Sequence, residues 1–281
     1  MINILNALIP VFSLILIGYF FKKIKFPSYE FWPMADKLTY YVLMPSLLIY
    51  KLSNADIQTD NISFVLTPIL TILIITFVLI FINKFFKTSG ESFTSTIQGA
   101  IRFNTYIFLA LADSIYGDEG LVLAAIILTF LIPFINVVCI TIFAIYVNNS
   151  KLSFLDLLKS IITNPLIIAC AIGGSISYLG VNVPEVLNKS LSIISSAALP
   201  MGLLSVGFAL VLKEIKDSKQ DIIISTFAKL ILFPLIVYAF AKFFNLNEMM
   251  SAILILFAAT ATAPSSFILA RQLGGNVKLM S

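Results

Sequence analysis

The chain has 281 residues, 59% of them hydrophobic and only 11% charged, with a formal net charge of +4 and a mean hydropathy of +1.03. A soluble domain carries about 25% charged residues, so a water-covered globule is excluded and the surface must face lipid. The lysines form no dense basic tract that would grip phosphates, which argues against nucleic acid as a partner. The absence of histidine removes Ser-His-Asp, Cys-His and zinc-His chemistry.

The first residues, Met1 to Pro10, have no charged n-region and no small-residue cleavage site, so they read as the start of a spanning helix and not as a removable signal. A span needs about 20 mostly apolar residues. Nine segments qualify: Ile4–Phe21, Leu38–Leu52, Ile62–Phe86, Phe93–Tyr116, Leu121–Val147, Ile161–Leu179, Val186–Leu212, Ile222–Phe244 and Met249–Gln272. The second is short by this count and is expected to begin near Trp32-Pro33. With these spans, Lys51, Lys189 and Lys242 fall on the side of the N-terminus. Thirteen basic residues fall on the other: Lys22, Lys23, Lys25, Lys37, Lys84, Lys87, Lys151, Lys159, Lys213, Lys216, Lys219, Arg271 and Lys278. The positive-inside rule then places the N-terminus outside the cytoplasm. Trp32, with Tyr29 and Phe31, lies beside a lysine cluster, as an interfacial aromatic belt would. Cys139 and Cys170 lie in apolar runs and read as small buried hydrophobes. No GxSxG, HExxH or Walker pattern occurs, so no enzyme is expected, a Ser-Lys or Asp-Asp membrane hydrolase being the one catalytic alternative left open, and no cofactor or metal site is expected.

An internal repeat runs along the chain. Pro10-Val11-Phe12 through Gly18 matches Pro165-Leu166-Ile167 through Gly173, and Met44-Pro45-Ser46 matches Leu199-Pro200-Met201, both at an offset of 155. Asn104 through Gly117-Asp118 overlays Thr262 through Gly275-Asn276 at an offset of 158. A unit of five helices is odd-numbered, so its second copy enters from the opposite face, the inverted plan of many secondary transporters. The expected organisation is all-α and integral to the membrane. Residues 1–147 form the first five-helix repeat and residues 148–281 a second of four helices, the tenth helix being absent on this reading.

Two spans carry polar interruptions. The fourth reads Arg102-Phe103-Asn104-Thr105. An arginine midway through a span costs about 2.5–3.5 kcal/mol even on insertion scales, so it should face a bundle interior or a water-filled cavity. The alternative is that Arg102 snorkels to the cytoplasmic face and Asn104 bonds a neighbouring helix. The ninth reads Thr260-Ala261-Thr262-Ala263-Pro264-Ser265-Ser266. A proline disrupts a helix interior but suits the first turn of a new helix. The pattern predicts a break at Thr262-Ala263, a half-helix starting at Pro264, and free N–H groups at Ser265 and Ser266; the alternative is an ordinary proline kink. Two half-helix N-termini meeting at the midplane, with Arg102 beside them, suit an anion such as a carboxylate. The candidate substrate-binding residues are therefore Arg102, Asn104, Thr105, Thr262, Pro264, Ser265 and Ser266. Lys229, about two turns inside the eighth span, is explained by snorkelling as well as by function. Asp113 and Arg271 occupy equivalent repeat positions and pair as a gate or sit solvated at the membrane edge.

These residues resemble the auxin efflux carrier family in its bacterial branch. The resemblance rests on Arg102-Phe103-Asn104-Thr105-Tyr106, on Ala263-Pro264-Ser265-Ser266-Phe267 with Gly274-Gly275-Asn276, and on Tyr41 to Pro45 and Ala198 to Gly202. It implies ten helices in two inverted repeats, with broken helices four and nine crossing at the substrate site. It also implies a scaffold of helices one, two, six and seven, often a homodimer interface, and an elevator-like motion of the rest. Plant relatives export the carboxylate auxin, and bacterial relatives are linked to malate, malonate and similar acids. Asn104 corresponds to the family's fourth-helix crossover asparagine and Pro264 to its ninth-helix crossover proline. Leu109 to Ala112 departs from the pattern, because many relatives carry a proline there; the first crossover must break by another device or break less. The expected function is a secondary carrier of small organic anions in the cell membrane. A truncated, non-transporting membrane protein (a remnant, sensor or assembly partner) is the alternative.

Overall fold

The computed structural model describes residues 2–55, 62–147, 159, 162–210, 219–263 and 265–280, and among these the chain is helical with no strand. In chain order, α1 is Ile2–Ile24, α2 Phe31–Leu38, α3 Met44–Ser53, α4 Ile62–Phe86, α5 Gly90–Ile101, α6 Thr105–Tyr146 and α7 Pro165–Tyr178. There follow α8 Glu185–Ser196, α9 Ala198–Ala209, α10 Lys219–Phe227, α11 Phe233–Phe243, α12 Glu248–Ala259, α13 Ser265–Leu273 and α14 Val277–Met280. Each of the nine predicted segments falls on one or more of these helices. Among the described residues four stretches, Ile62–Phe86, Gly90–Tyr146, Glu185–Ala209 and Lys219–Phe243, are long and apolar enough to cross a membrane.

The boundaries follow local chemistry. The second span begins at Phe31, close to the predicted start, and its helices reach Ser53 through a π-helical segment, Thr39–Leu43. A second π segment, Ala228–Leu232, joins α10 to α11. Each stands directly before a helix with proline in its first positions, Pro45 and Pro234. A proline ring clashes with the carbonyl four residues earlier, which here falls inside the π segment at Tyr41 or Leu230. Widening the turn by one residue relieves that clash without ending the helix. The sixth span is shorter than predicted: Asn164 caps α7, its side chain accepting from the N–H groups of Leu166 and Ile167. The predicted break at Gly117 to Gly120 is met at Gly117, whose φ of 60° and ψ of −149° are non-helical and divide α6 into two helices. That conformation is open to glycine and strained for other residues.

The helices form two compact units that each draw on both halves of the sequence. The first holds Met1–Asp60, Thr105–Thr129 and Ile161–Leu210. In it α1 packs on α9, and α3 packs on α7 and α8. The contact of α1 with α9 is backbone against backbone, since a β-carbon at Gly207 would overlap the Ile15 carbonyl and one at Gly18 the Leu204 carbonyl. Tyr29 and Phe31 are exposed as a belt requires, but Trp32 is buried. Its ring stacks on Phe208 at 4.7 Å and its indole N–H donates to the Phe26 carbonyl at 3.1 Å. Trp32 therefore packs inside this unit and does not face lipid as a belt residue would.

The second unit holds Asn61–Asn104, Phe130–Ser160 and Val211–Ser281. Here α11 packs on α12 and α4, α10 on α5, and α13 and α14 against α5. Asn276 ties the end of the chain to α5. Its N–H donates to the Glu91 carbonyl at 3.0 Å, its amide to Ser92 Oγ at 2.9 Å, and its carbonyl accepts from Ser95 Oγ at 3.2 Å. Cys139 and Cys170 are buried free thiols, as the sequence predicts.

Candidate functional site at two broken helices

In the second unit, α5 stops at Ile101, Arg102 is extended at φ −77° and ψ 155°, and the chain stays non-helical through Asn104 before α6 begins at Thr105. Likewise α12 stops at Ala259, with Thr260 extended at φ −71° and ψ 137°, and α13 begins at Ser265. Both interruptions predicted from the sequence are therefore full breaks. The second starts earlier than predicted, at Thr260 in place of Thr262. Pro264 and the Ser265 side chain lie outside the described residues.

The two breaks lie against each other. The Asn104 N–H donates to the Ala261 carbonyl at 2.7 Å, and Thr262 Oγ1 donates to the Gly99 carbonyl at 2.7 Å. These bonds show how the fourth helix breaks without a proline at Leu109 to Ala112. Ending a helix orphans N–H and C=O groups, and a buried orphan costs about 1–3 kcal/mol. Here the other broken segment supplies the partners. Around them Phe103 packs edge-on against Phe257 at 4.6 Å, and Thr260 Oγ1 closes back on the Leu256 carbonyl at 2.7 Å.

The side chains named from the sequence take distinct places. Asn104 is 3% exposed and forms the waist of the first break. The half-buried Arg102 guanidinium donates to Asn136 Oδ1 at 3.3 Å, and the Cys139 thiol lies within its reach. Thr105, half-buried, opens α6 in the first unit. Ser266 is fully buried; its N–H donates to the Ala263 carbonyl at 3.0 Å and is not free as predicted. The free group is instead its hydroxyl, which has no partner among the described residues. Gln98, one turn before Arg102, is also fully buried with both amide atoms unpartnered among the described residues. Lys229 is 3% exposed, so it does not snorkel. Gln98 and Asn136 escaped the sequence reading, although each is a lone amide in a helical run, a signal that marks buried polar contacts in lipid.

The first unit holds a separate cavity of about 480 Å³. Leu14, Leu47 and Leu203 line it with Lys51, Asp113 and Ser195. Lys51 pairs there with Asp118, which is 79% exposed. Arg271 is exposed.

The chain matches the membrane transport protein family over residues 3–281. It is a member of the auxin efflux carrier family. Within that family it is 23% identical over 291 aligned residues to an uncharacterized transporter of Methanocaldococcus jannaschii, covering 99% of this chain and 92% of the relative. It is 24% identical to a putative malonate transporter of Rhizobium meliloti, covering 98% and 88% of the two chains. An uncharacterized transporter of Escherichia coli is 25% identical, covering 95% and 88%. This carrier-family member is thus a membrane transporter by descent, and its broken helices are features to be read in transport terms.

Proposed function

We propose that this chain is a secondary carrier of small organic anions whose substrate lies at the crossing of the two broken helices. The observation that carries the reading is the pairing of the breaks through Asn104 and Ala261, with Arg102 beside it. Helix N-termini attract negative charge through the helix dipole, and α6 and α13 both begin at these breaks. A single guanidinium adds a full positive charge where lipid excludes water. A carboxylate satisfies both, and the putative malonate transporter of Rhizobium meliloti is a relative in which such a substrate is named. Arg102, Asn104, Thr105, Thr262, Pro264, Ser265 and Ser266 are the proposed substrate-binding residues.

The proposed mechanism is elevator-type alternating access, with the second unit moving its site past the first. The interleaved units support it, because each is assembled from both sequence halves. In this reading residues 1–147 and 148–281 are inverted repeats, the N-terminus faces away from the cytoplasm, and the first, second, sixth and seventh spans form a homodimer seam in the cell membrane. Of the lysines used for that orientation, Lys151, Lys213 and Lys216 lie outside the described residues.

A stability screen of organic acids on purified protein tests the site. A ligand that binds only the folded state raises the melting temperature, by the equivalent of about 2.7 kcal/mol at a hundredfold excess over Kd. A carboxylate should stabilise the wild type and not the Asn104→Ala variant. Equal stabilisation of both would place the substrate elsewhere.

A further inference from the structure

Besides the half-buried Arg102, the unit that holds the crossing contains a buried cation-forming group, Lys229. Lys229 sits in the π-helical segment ahead of Pro234. Its Nζ lies 4.6 Å from the centroid of the Phe233 ring and 5.4 Å from that of Phe257, with no hydrogen-bond partner among the described residues. Phe257 is the ring that packs on Phe103, between Arg102 and Asn104. A single aromatic side chain thus links the amino group to the first break.

The helices packed against this π segment are α5, α10, α11 and α12. Their titratable groups are Glu91 and Arg102 on or beside α5, Lys219 and Asp221 on α10, Tyr238 and Lys242 on α11, and Glu248 on α12. The three acids all stand in the first turns of their helices. None of them pairs with Lys229 among the described residues. An uncompensated buried charge costs several kcal/mol, and an intramembrane ionisable group marks a functional site by default. Two aromatic faces offset part of that cost. An anion at the neighbouring break offsets more.

We propose that Lys229 is a proton-binding site that couples anion binding at the crossing to proton uptake. It is an amine while the crossing is empty and an ammonium once an organic anion lies beside Arg102 and Asn104. The step forms one N–H bond from a solvent proton and the nitrogen lone pair, and no electrons are exchanged. Proton and carboxylate charge cancel, so the loaded unit crosses the membrane with a smaller net charge than the anion alone would give it. The inference rests on the organic-anion reading of the crossing.

Sodium-free vesicles containing the full-length chain and a trapped pH dye test it, with radiolabelled malonate, succinate and malate supplied outside. Wild-type protein should acidify the lumen as label enters. Lys229→Arg keeps a permanent charge and Lys229→Gln removes it, so both should exchange label with the acidification lost. Melting of each variant in detergent reports whether it folds. Label entering the wild type without acidification overturns the proposal and leaves the carrier reading intact, and this arm needs no variant. Acidification that survives in either variant overturns it equally. If none of the three acids enters, the organic-anion reading falls and the coupling proposal falls with it.

Discussion

Replacing Thr262 by valine tests the account of how the two breaks hold together. The substitution keeps the β-branched shape and removes one oxygen, whose 2.7 Å bond to the Gly99 carbonyl spans 163 residues of sequence. Gly99 lies in the last turn of α5, where a helix leaves its carbonyls without internal partners. A bond made and lost with both groups solvated is worth about 0.5–1.5 kcal/mol, whereas an acceptor left buried costs about 1–3 kcal/mol. Thr262 is half-buried and packed at the crossing, so the higher range applies. Thr262→Val should therefore destabilise the protein by about 1–3 kcal/mol, or about 5- to 150-fold in the folding equilibrium. Thr262→Ser keeps the hydroxyl and is the control, losing about 0.8 kcal/mol for its methyl group. Reversible unfolding in mixed micelles measures both. A valine variant as stable as the serine variant would show that the hydroxyl does not close the break.

Three further outcomes follow from particular contacts. Gly207→Leu should cost at least the 1–3 kcal/mol typical of overpacking, because its β-carbon would overlap the Ile15 carbonyl; thermal unfolding reads this, and an unchanged melting temperature would refute the close packing of α1 on α9. Asp118→Ala should change stability by less than about 1 kcal/mol, because Asp118 is 79% exposed in its pair with Lys51; a larger loss would mean that the pair is shielded from solvent. Trp32→Ala should cost about 3–5 kcal/mol, since the ring is 4% exposed and stacked on Phe208; a variant of wild-type stability would return Trp32 to the lipid interface.

Much of this architecture is legible in the sequence, because the constraints of lipid are strong and local. Long apolar runs announce the spans, and an arginine, an asparagine and a proline in two of them announce the breaks. What escapes is information carried between distant residues. The partners that stabilise the breaks, Asn104 with Ala261 and Thr262 with Gly99, lie more than 150 residues apart. Propensity says nothing about such pairs. Whether Lys229 snorkels depends on the face its helix presents, and that is set by the packing of α10 and α11 against α5 and α12. The same holds for Trp32, whose composition suits a membrane interface but whose neighbour Phe208 draws it inside. The π segments ahead of Pro45 and Pro234 are open to inference from the prolines, yet not every proline makes one: Pro10 and Pro68 lie inside continuous α-helices.

In the proposed cycle an organic anion crosses the membrane on the paired breaks. Uptake of radiolabelled malonate, succinate and malate into vesicles, by the wild type and by Asn104→Ala at matched protein incorporation, tests it most directly. The wild type should take up at least one acid, and the variant, still folded, should take up none. Uptake that survives in Asn104→Ala would contradict it.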